Sequence, residues 1–126
     1  MGSEGNRRLG ALLLAGGCAP FAVGALAGRD GEGVLPPCPF RAATGLPCPF
    51  CGATRAFALA VRGDGSWLSY NAPWVVLAAL AIVTGALVLA GMPLPRARTR
   101  PALLAATAVV AVAWAYALVQ RGTITV

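Results

Sequence analysis

The chain has 126 residues, of which 58% are hydrophobic and only 11% are charged. In soluble domains about a quarter of the residues are charged. The low charged fraction and the mean hydropathy of +0.74 therefore exclude an ordinary soluble protein. The net charge of +6 comes from arginine, without lysine or histidine. These arginines are scattered near the ends of apolar stretches, which favours anionic lipid headgroups as their partner and argues against nucleic acid.

Three apolar stretches are each long enough to cross a bilayer, which takes about 20 residues. They cover residues 9–27, 74–91 and 102–119. We therefore predict a single all-α integral membrane domain over residues 1–126, with three transmembrane helices. Because no Asp, Glu, Lys, Arg or His lies within these stretches, they lack the usual mark of an ion path, a proton relay or a transporter site.

The first stretch has two alternative interpretations. Arg7 and Arg8, the apolar run and residues 25–27 resemble a secretory signal with a small-residue cleavage site, and its removal would leave two spans. The run is longer than a signal core of about 7–15 residues and contains Pro20, so we predict that it is retained. A lipoprotein signal at Cys18 fits less well, because apolar sequence continues beyond it. We expect Cys18 to be packed inside the first helix.

Between the first two spans lies a segment rich in cysteine and proline, residues 35–51, which we call the Cys/Pro loop. Its prolines disfavour regular structure, so we expect a helix to begin only after Pro49. A short helix is predicted over residues 52–62, too short to span and placed at the interface or partly re-entrant. Its apolar side is predicted to hold Ala53, Ala56, Phe57, Ala60 and Val61, and another side Arg55, Leu59 and Arg62.

The start of the second span carries clear helix signals. Asn71 is suited to cap the helix with its side chain, and Pro73 suits the first turn. Trp67, Tyr70 and Trp74 are typical of an aromatic girdle at the headgroup level. These residues predict where the second helix begins.

Positive charge predicts the orientation in the cell membrane. The N-terminal Arg7 and Arg8 and the hairpin of Arg96, Arg98 and Arg100 are predicted to be cytoplasmic. A three-span path then places the Cys/Pro loop outside the cytoplasm. The arginines that would lie on that opposite side, and so count against this orientation, are Arg29, Arg41, Arg55 and Arg62.

Small residues recur at four-residue spacing, which lets helix backbones approach closely. The pattern predicts a compact bundle, and it allows contact with another membrane protein or with a second copy of the chain. The pairs are Gly24 with Gly28, Ala81 with Gly85, and Ala113 with Ala117.

Three interpretations of Cys38, Cys48 and Cys51 remain open. Two of them can form a disulfide that fixes the loop, as an extracytoplasmic location permits. Cys48 and Cys51 can instead be a redox pair at the start of the short helix, where the helix dipole favours a thiolate. The third interpretation, a zinc ion bound by all three cysteines, is the weakest, because zinc sites need four ligands and the chain has no histidine.

Arg55 falls in the first turn of the predicted short helix, where a positive charge opposes the helix dipole. We therefore expect the Arg55 side chain to contact a negatively charged group. The candidates are a lipid phosphate, a thiolate of the cysteine pair, and the carboxylate of Asp64.

The order of these motifs resembles a bacterial membrane family known as domain of unknown function 2752. In that family the cysteine spacer is usually Pro-Gly and an Asn-Pro pair follows the short helix. Here Phe50 replaces the glycine, and Ala72 separates Asn71 from Pro73. The resemblance implies a small integral membrane protein of unassigned activity. The residues that carry it are Cys38, Thr44, Gly45, Cys48, Pro49, Cys51, Gly52, Thr54, Arg55, Arg62, Gly63, Asp64 and Asn71.

The sequence therefore favours a non-enzymatic role, as a membrane component or accessory subunit whose Cys/Pro loop contacts a partner or lipid. No cofactor is predicted, apart from the weak zinc alternative. The alternative function is a membrane thiol–disulfide redox protein, in which Cys48 attacks, Cys51 resolves and Arg55 supports the thiolate.

Overall fold

The computed structural model describes residues 2–27, 38–46, 48–50, 52–93 and 99–120, and these contain helices and turns without strands. Three of the helices are long and apolar enough to cross a membrane. The predicted all-α fold, with a short helix between the first and second spans, is confirmed. The elements are α1 (Ser3–Leu26), α2 (Pro39–Thr44), α3 (Ala53–Val61), a 3₁₀ helix (Gly65–Ser69), α4 (Ala72–Leu89) and α5 (Thr99–Val119).

Helix α1 has a line of buried glycines spaced seven residues apart, Gly10, Gly17 and Gly24, and it packs against α4 at the first two of them. A Cβ atom built at Gly17 would lie 2.8 Å from the carbonyl oxygen of Ala78. One built at Gly85 would lie 2.8 Å from the carbonyl oxygen of Gly10. The two backbones are therefore in direct contact, where dispersion supplies the attraction that lipid-facing leucines cannot.

The same line of glycines positions α3. A Cβ atom at Gly24 would lie 2.7 Å from the backbone nitrogen of Ala58, so α3 rests directly on the backbone of α1. The ring of Phe57 meets that of Phe21 edge to face, with centroids 5.0 Å apart. This contact brings the motif residues of α3 to the end of the bundle where α1 stops.

The predicted faces of α3 are partly wrong. Leu59, expected beside the arginines, is buried, while Val61, expected on the apolar side, is 45% exposed. The reason is that α3 is covered by α1, by α4 and by the 3₁₀ helix together. Four consecutive residues, 56–59, are buried, which a helix resting on a single surface would not show.

A helix forms earlier in the loop than the sequence predicts. The expectation that no helix begins before Pro49 is wrong, because α2 begins at Pro39. A proline in the first turn needs no partner for a missing N–H group, and its fixed φ suits the helix. Residues 40–44 contain no further proline, so the helix continues to Thr44.

Cys18 lies in α1, but its side chain is exposed, so the expectation that it is packed is wrong. The glycines form the buried face of α1, and Cys18 follows Gly17 directly. One residue turns about 100° around a helix, which directs Cys18 away from α4.

Helix α5 is the least buried of the three long helices. Ala113 and Ala117 are fully buried, and the Tyr116 hydroxyl donates a hydrogen bond to the Leu68 carbonyl oxygen. Beside this contact, an apolar groove of about 500 Å³ remains between α4 and α5. The small residues of the α5 pair thus serve packing within the chain.

The N-terminus with its arginines and the cysteine-containing loop lie at opposite ends of the bundle. Gly10, near the start of α1, approaches Leu89 at the end of α4, whereas α3 meets the last turns of α1. The N-terminus and the end of α4 therefore share one end of the bundle, and α3 lies at the other. Four residues predicted to matter for orientation or packing lie outside the described residues, namely Gly28, Arg29, Arg96 and Arg98.

Candidate functional site

The carbonyl oxygen of Pro49 is the point at which the Cys/Pro loop is attached to the bundle. It accepts hydrogen bonds from Asn71 Nδ2 at 2.5 Å and from Trp74 Nε1 at 2.7 Å. The ring of Phe50 stacks on Trp74, with centroids 4.7 Å apart and an interplanar angle of 20°. Two donors and one stacked ring from the start of α4 thus fix the turn that follows Cys48.

Asn71 occupies the N-cap position of α4, as predicted, but its side chain makes no capping bond to that helix. The prediction of side-chain capping is therefore wrong. Asn71 is fully buried and uses its amide group to hold the loop. Pro73 lies in the first turn of α4, where it needs no N–H partner.

Thr44 and Gly45 end α2. The Thr44 hydroxyl donates to the Phe40 carbonyl oxygen at 2.7 Å and accepts from the Leu46 backbone N–H at 3.3 Å. Gly45 has a φ of 71° in the left-handed region, and its N–H bonds to the Arg41 carbonyl oxygen. This left-handed ending reverses the chain, and glycine adopts it without steric cost.

Gly52 starts α3 in the same way, with a φ of 79°. Its carbonyl oxygen accepts from the Ala56 N–H at 2.9 Å, and the preceding turn is closed by a 3.1 Å bond from the Ala53 N–H to the Phe50 carbonyl oxygen. Thr54 is half-buried in the first turn of α3. A side chain at position 52 would be strained, which explains why the motif has glycine there.

Two of the three loop cysteines are in contact. Cys38 directs its thiol toward Cys48, with the two Sγ atoms 3.4 Å apart. Cys51 lies outside the described residues, so its predicted role as a redox partner or zinc ligand stays a prediction. Among the described residues, no group of three or more His, Cys, Asp or Glu side chains could hold a metal ion.

The structure also changes the local setting of Cys48. It was expected at the N-terminus of the short helix, but α3 begins only at Ala53, after the turn through Pro49 and Gly52. Cys48 therefore lies ahead of the turn that leads into α3, and its predicted role as the attacking thiol stays a prediction.

Arg55 has a partner that the sequence did not suggest. Its guanidinium carbon lies 5.2 Å from the centroid of the Tyr70 ring, a cation–π contact. Tyr70, with Trp67 and Trp74, packs partly buried against the core of Phe57 and Val75. These aromatic residues, which the sequence predicts as a headgroup girdle, thus pack against the core beneath the site.

Arg62 connects the end of α3 to the end of α1. Its Nη2 donates to the Ala27 carbonyl oxygen at 2.9 Å, and its Nη1 donates to Ala58 at 2.7 Å and to Gly24 at 3.5 Å. The last carbonyl groups of a helix lack partners within it and carry partial negative charge. The forked guanidinium is suited to bind several of them at once.

Asp64 begins the 3₁₀ helix. Its Oδ1 accepts from the Ser66 backbone N–H at 3.0 Å and from the Ser66 hydroxyl at 2.7 Å. Gly63 closes the turn after α3 through a 3.1 Å bond from its N–H to the Ala60 carbonyl oxygen. The Arg-Gly-Asp part of the motif is therefore a connector that turns the chain from α3 toward α4.

Besides the Tyr70 partner of Arg55, three further features of this site could not be predicted from the sequence. They are the Pro49 carbonyl as an acceptor, the Trp74 indole as its donor, and the attachment of Arg62 to α1. Only the glycines of α1 carried a usable signal, because their seven-residue spacing marks one face of a helix. The other contacts join residues far apart in the chain and leave no local pattern.

The fold and the site together define a small multi-pass helical membrane protein with a buried polar attachment at one end. Residues 38–85 match the model of a family described as "Protein of unknown function (DUF2752)". The resemblance seen in the motif is thereby confirmed over this segment, which runs from Cys38 into α4. No curated protein and no solved structure matches the chain.

Proposed function

We propose that this protein is a non-enzymatic accessory component of the membrane, and that its Cys/Pro loop is a contact surface for another membrane protein. The observation that carries the proposal is the way in which Phe50 is held. Its side chain is 61% exposed, yet its ring is stacked on Trp74. The neighbouring Pro49 carbonyl is bound by two donors from the start of α4.

A fixed and exposed aromatic ring favours a protein partner over lipid. Ordering a side chain at an interface costs free energy, and a ring that is ordered before binding avoids that cost. Aromatic anchors of this kind commonly dominate protein interfaces, whereas lipid chains adapt to any apolar surface. Phe40 and Leu46, each 41% exposed, add apolar surface to the same loop.

The proposed location is the cell membrane, with the N-terminus and the hairpin of residues 96–100 in the cytoplasm and the Cys/Pro loop outside. The positive-inside rule supports this orientation. The position of Gly10 beside Leu89 supports it as well, because the N-terminus and the end of α4 then lie on the same side.

A photo-crosslinking residue, benzoylphenylalanine, tests the proposed surface when it replaces Phe50 in intact cells. We expect a discrete protein adduct, identified by mass spectrometry. The matched control is the same residue at Leu104, which is 72% exposed but lies in α5. In the Phe50-labelled protein, Trp74→Phe keeps an aromatic ring beside the label but removes the indole N–H, so we expect a several-fold lower adduct yield.

The other results of this experiment would each overturn the proposal. Adducts with lipid alone would assign the loop to the bilayer, and a crosslinked dimer would assign it to a second copy of the chain. Equal adducts from positions 50 and 104 would show that the loop has no dedicated partner.

The second candidate function is the membrane thiol–disulfide protein, which is supported by the two-residue spacing of Cys48 and Cys51 and requires that Cys48 is not permanently bonded to Cys38. In this function Cys48 attacks a partner's disulfide and Cys51 resolves the mixed disulfide. Cys51→Ser is then expected to trap that species as a reductant-sensitive band on a gel, while Cys18→Ser traps nothing. If Cys48→Ser and Cys51→Ser only lower the abundance of the protein, the cysteines have a structural role.

A further inference from the structure

Cys38 and Cys48 bring their thiols together, with 3.4 Å between the Sγ atoms. Both residues are half-buried. Cys38 occupies the N-cap position of α2, and Cys48 follows the turn after that helix. The two cysteines therefore lie where the short loop closes on itself.

The backbone on both sides of this contact is held by hydrogen bonds. On one side, the left-handed Gly45 and the Thr44 hydroxyl end α2 and turn the chain back toward Cys38. On the other side, Asn71 and Trp74 bind the carbonyl of Pro49, the residue directly after Cys48. The backbone on both sides of the two cysteines is thus held in place by the fold.

We propose that Cys38 and Cys48 form an intrachain disulfide that closes the Cys/Pro loop. A disulfide has a sulfur–sulfur distance of about 2.05 Å, so the two sulfurs need to approach by only about 1.3 Å more. The contact supports one of the three pairings that the sequence leaves open. The proposal goes beyond the proposed function, since the bond can form whichever partner the loop contacts.

The bond forms by thiol–disulfide exchange with an oxidant that is itself a protein disulfide or a small-molecule disulfide. The thiolate of one cysteine attacks that disulfide, which gives a mixed disulfide and releases one thiolate of the oxidant. The second cysteine then attacks the mixed disulfide, forms the Cys38–Cys48 bond and releases the second thiolate. Two electrons and the protons of both cysteine thiols pass to the oxidant, which leaves as a dithiol if it is a protein or as two thiol molecules if it is a small-molecule disulfide. Such oxidants act outside the cytoplasm, on the side proposed for the loop.

Peptide mapping of the full-length protein tests the bond, because the chain has cleavage sites in useful places. The protein is extracted without reductant, alkylated at once, and digested with trypsin and chymotrypsin. Trypsin cuts after Arg41, between the two cysteines, and chymotrypsin cuts after Phe50, which separates Cys48 from Cys51. We expect a peptide containing Cys38 linked to one containing Cys48, and we expect the link to disappear when dithiothreitol precedes alkylation.

Two variants make the result specific. Cys51→Ser should retain the Cys38–Cys48 link in full, whereas Cys48→Ser should abolish it. Alkylation of both Cys38 and Cys48 in unreduced wild-type protein would overturn the proposal, as would a link from Cys51 to either of them in that sample. Because the mapping does not depend on a partner, its failure and a failure of the Phe50 crosslinking experiment can be told apart.

Discussion

Replacing Gly24 by alanine is expected to destabilise the protein by about 1–3 kcal/mol, the cost of overpacking a tight contact. The added Cβ would lie 2.7 Å from two backbone atoms of α3, the nitrogen of Ala58 and the carbonyl carbon of Phe57. Backbone atoms cannot move aside as the end of a flexible side chain can. The helix α3 must therefore shift, and the measurement is the midpoint of unfolding in SDS, followed by tryptophan fluorescence in detergent micelles.

Gly16→Ala is the matched control for this experiment. Gly16 lies in the same helix, but a Cβ atom there would have no neighbour within 4 Å. Both substitutions carry the same change in intrinsic helix propensity, up to about 1 kcal/mol in favour of alanine, so their difference isolates the contact with α3. Equal midpoints for the two variants would contradict the packing of α3 on α1.

Replacing Asn71 by alanine is expected to have the second large effect. Asn71 is fully buried, and its Nδ2 donates to Pro49 at 2.5 Å. Without it, the part-buried Pro49 carbonyl oxygen keeps only the Trp74 donor, and the net loss of one hydrogen bond costs about 0.5–1.5 kcal/mol. We expect a lower unfolding midpoint in SDS. We also expect faster proteolysis at Arg41, because the Cys/Pro loop loses part of its attachment to α4.

Asn6→Ala is the control, since Asn6 is the only other asparagine of the chain and lies in the first turns of α1. It is expected to change neither the midpoint nor the proteolysis rate measurably. A second comparison uses Trp74→Phe, which removes the other donor to Pro49 and keeps an aromatic ring beside Phe50. If Asn71→Ala leaves the loop as protected as in the wild type, the attachment through Pro49 does not hold it.

The attachment through Pro49 and the fork of Arg62 solve the same physical problem at one end of the bundle. Both give partners to carbonyl groups that no regular helix satisfies. Trp74 and Asn71 donate hydrogen bonds to the carbonyl oxygen of Pro49 in the loop. Arg62 donates to the Ala27 carbonyl oxygen at the end of α1. Arg62 thus connects the end of α3 to α1, and Asn71 and Trp74 connect the loop before α3 to α4.

The three long helices can be predicted from the sequence alone, because a long uncharged stretch satisfies its backbone hydrogen bonds in a membrane by forming a helix. The sequence also located the motif segment, since glycine, proline and cysteine at fixed spacing have local backbone requirements. Gly45 and Gly52 illustrate this, as each occupies a left-handed position that favours glycine.

The contacts between the motif residues depend on the tertiary structure and could not be predicted from the sequence. The contacts of Pro49 with Asn71 and of Arg62 with Ala27 join residues that are 22 and 35 positions apart. Such pairs follow from how α3 rests on α1 and α4, and that depends on backbone contact at Gly24, which no periodicity of α3 itself reveals. For the same reason the sequence left three cysteine pairings open. The fold brings Cys38 to Cys48 because α2 and the turn after it reverse the direction of the chain. The prolines of the loop had led us to predict that no helix forms there.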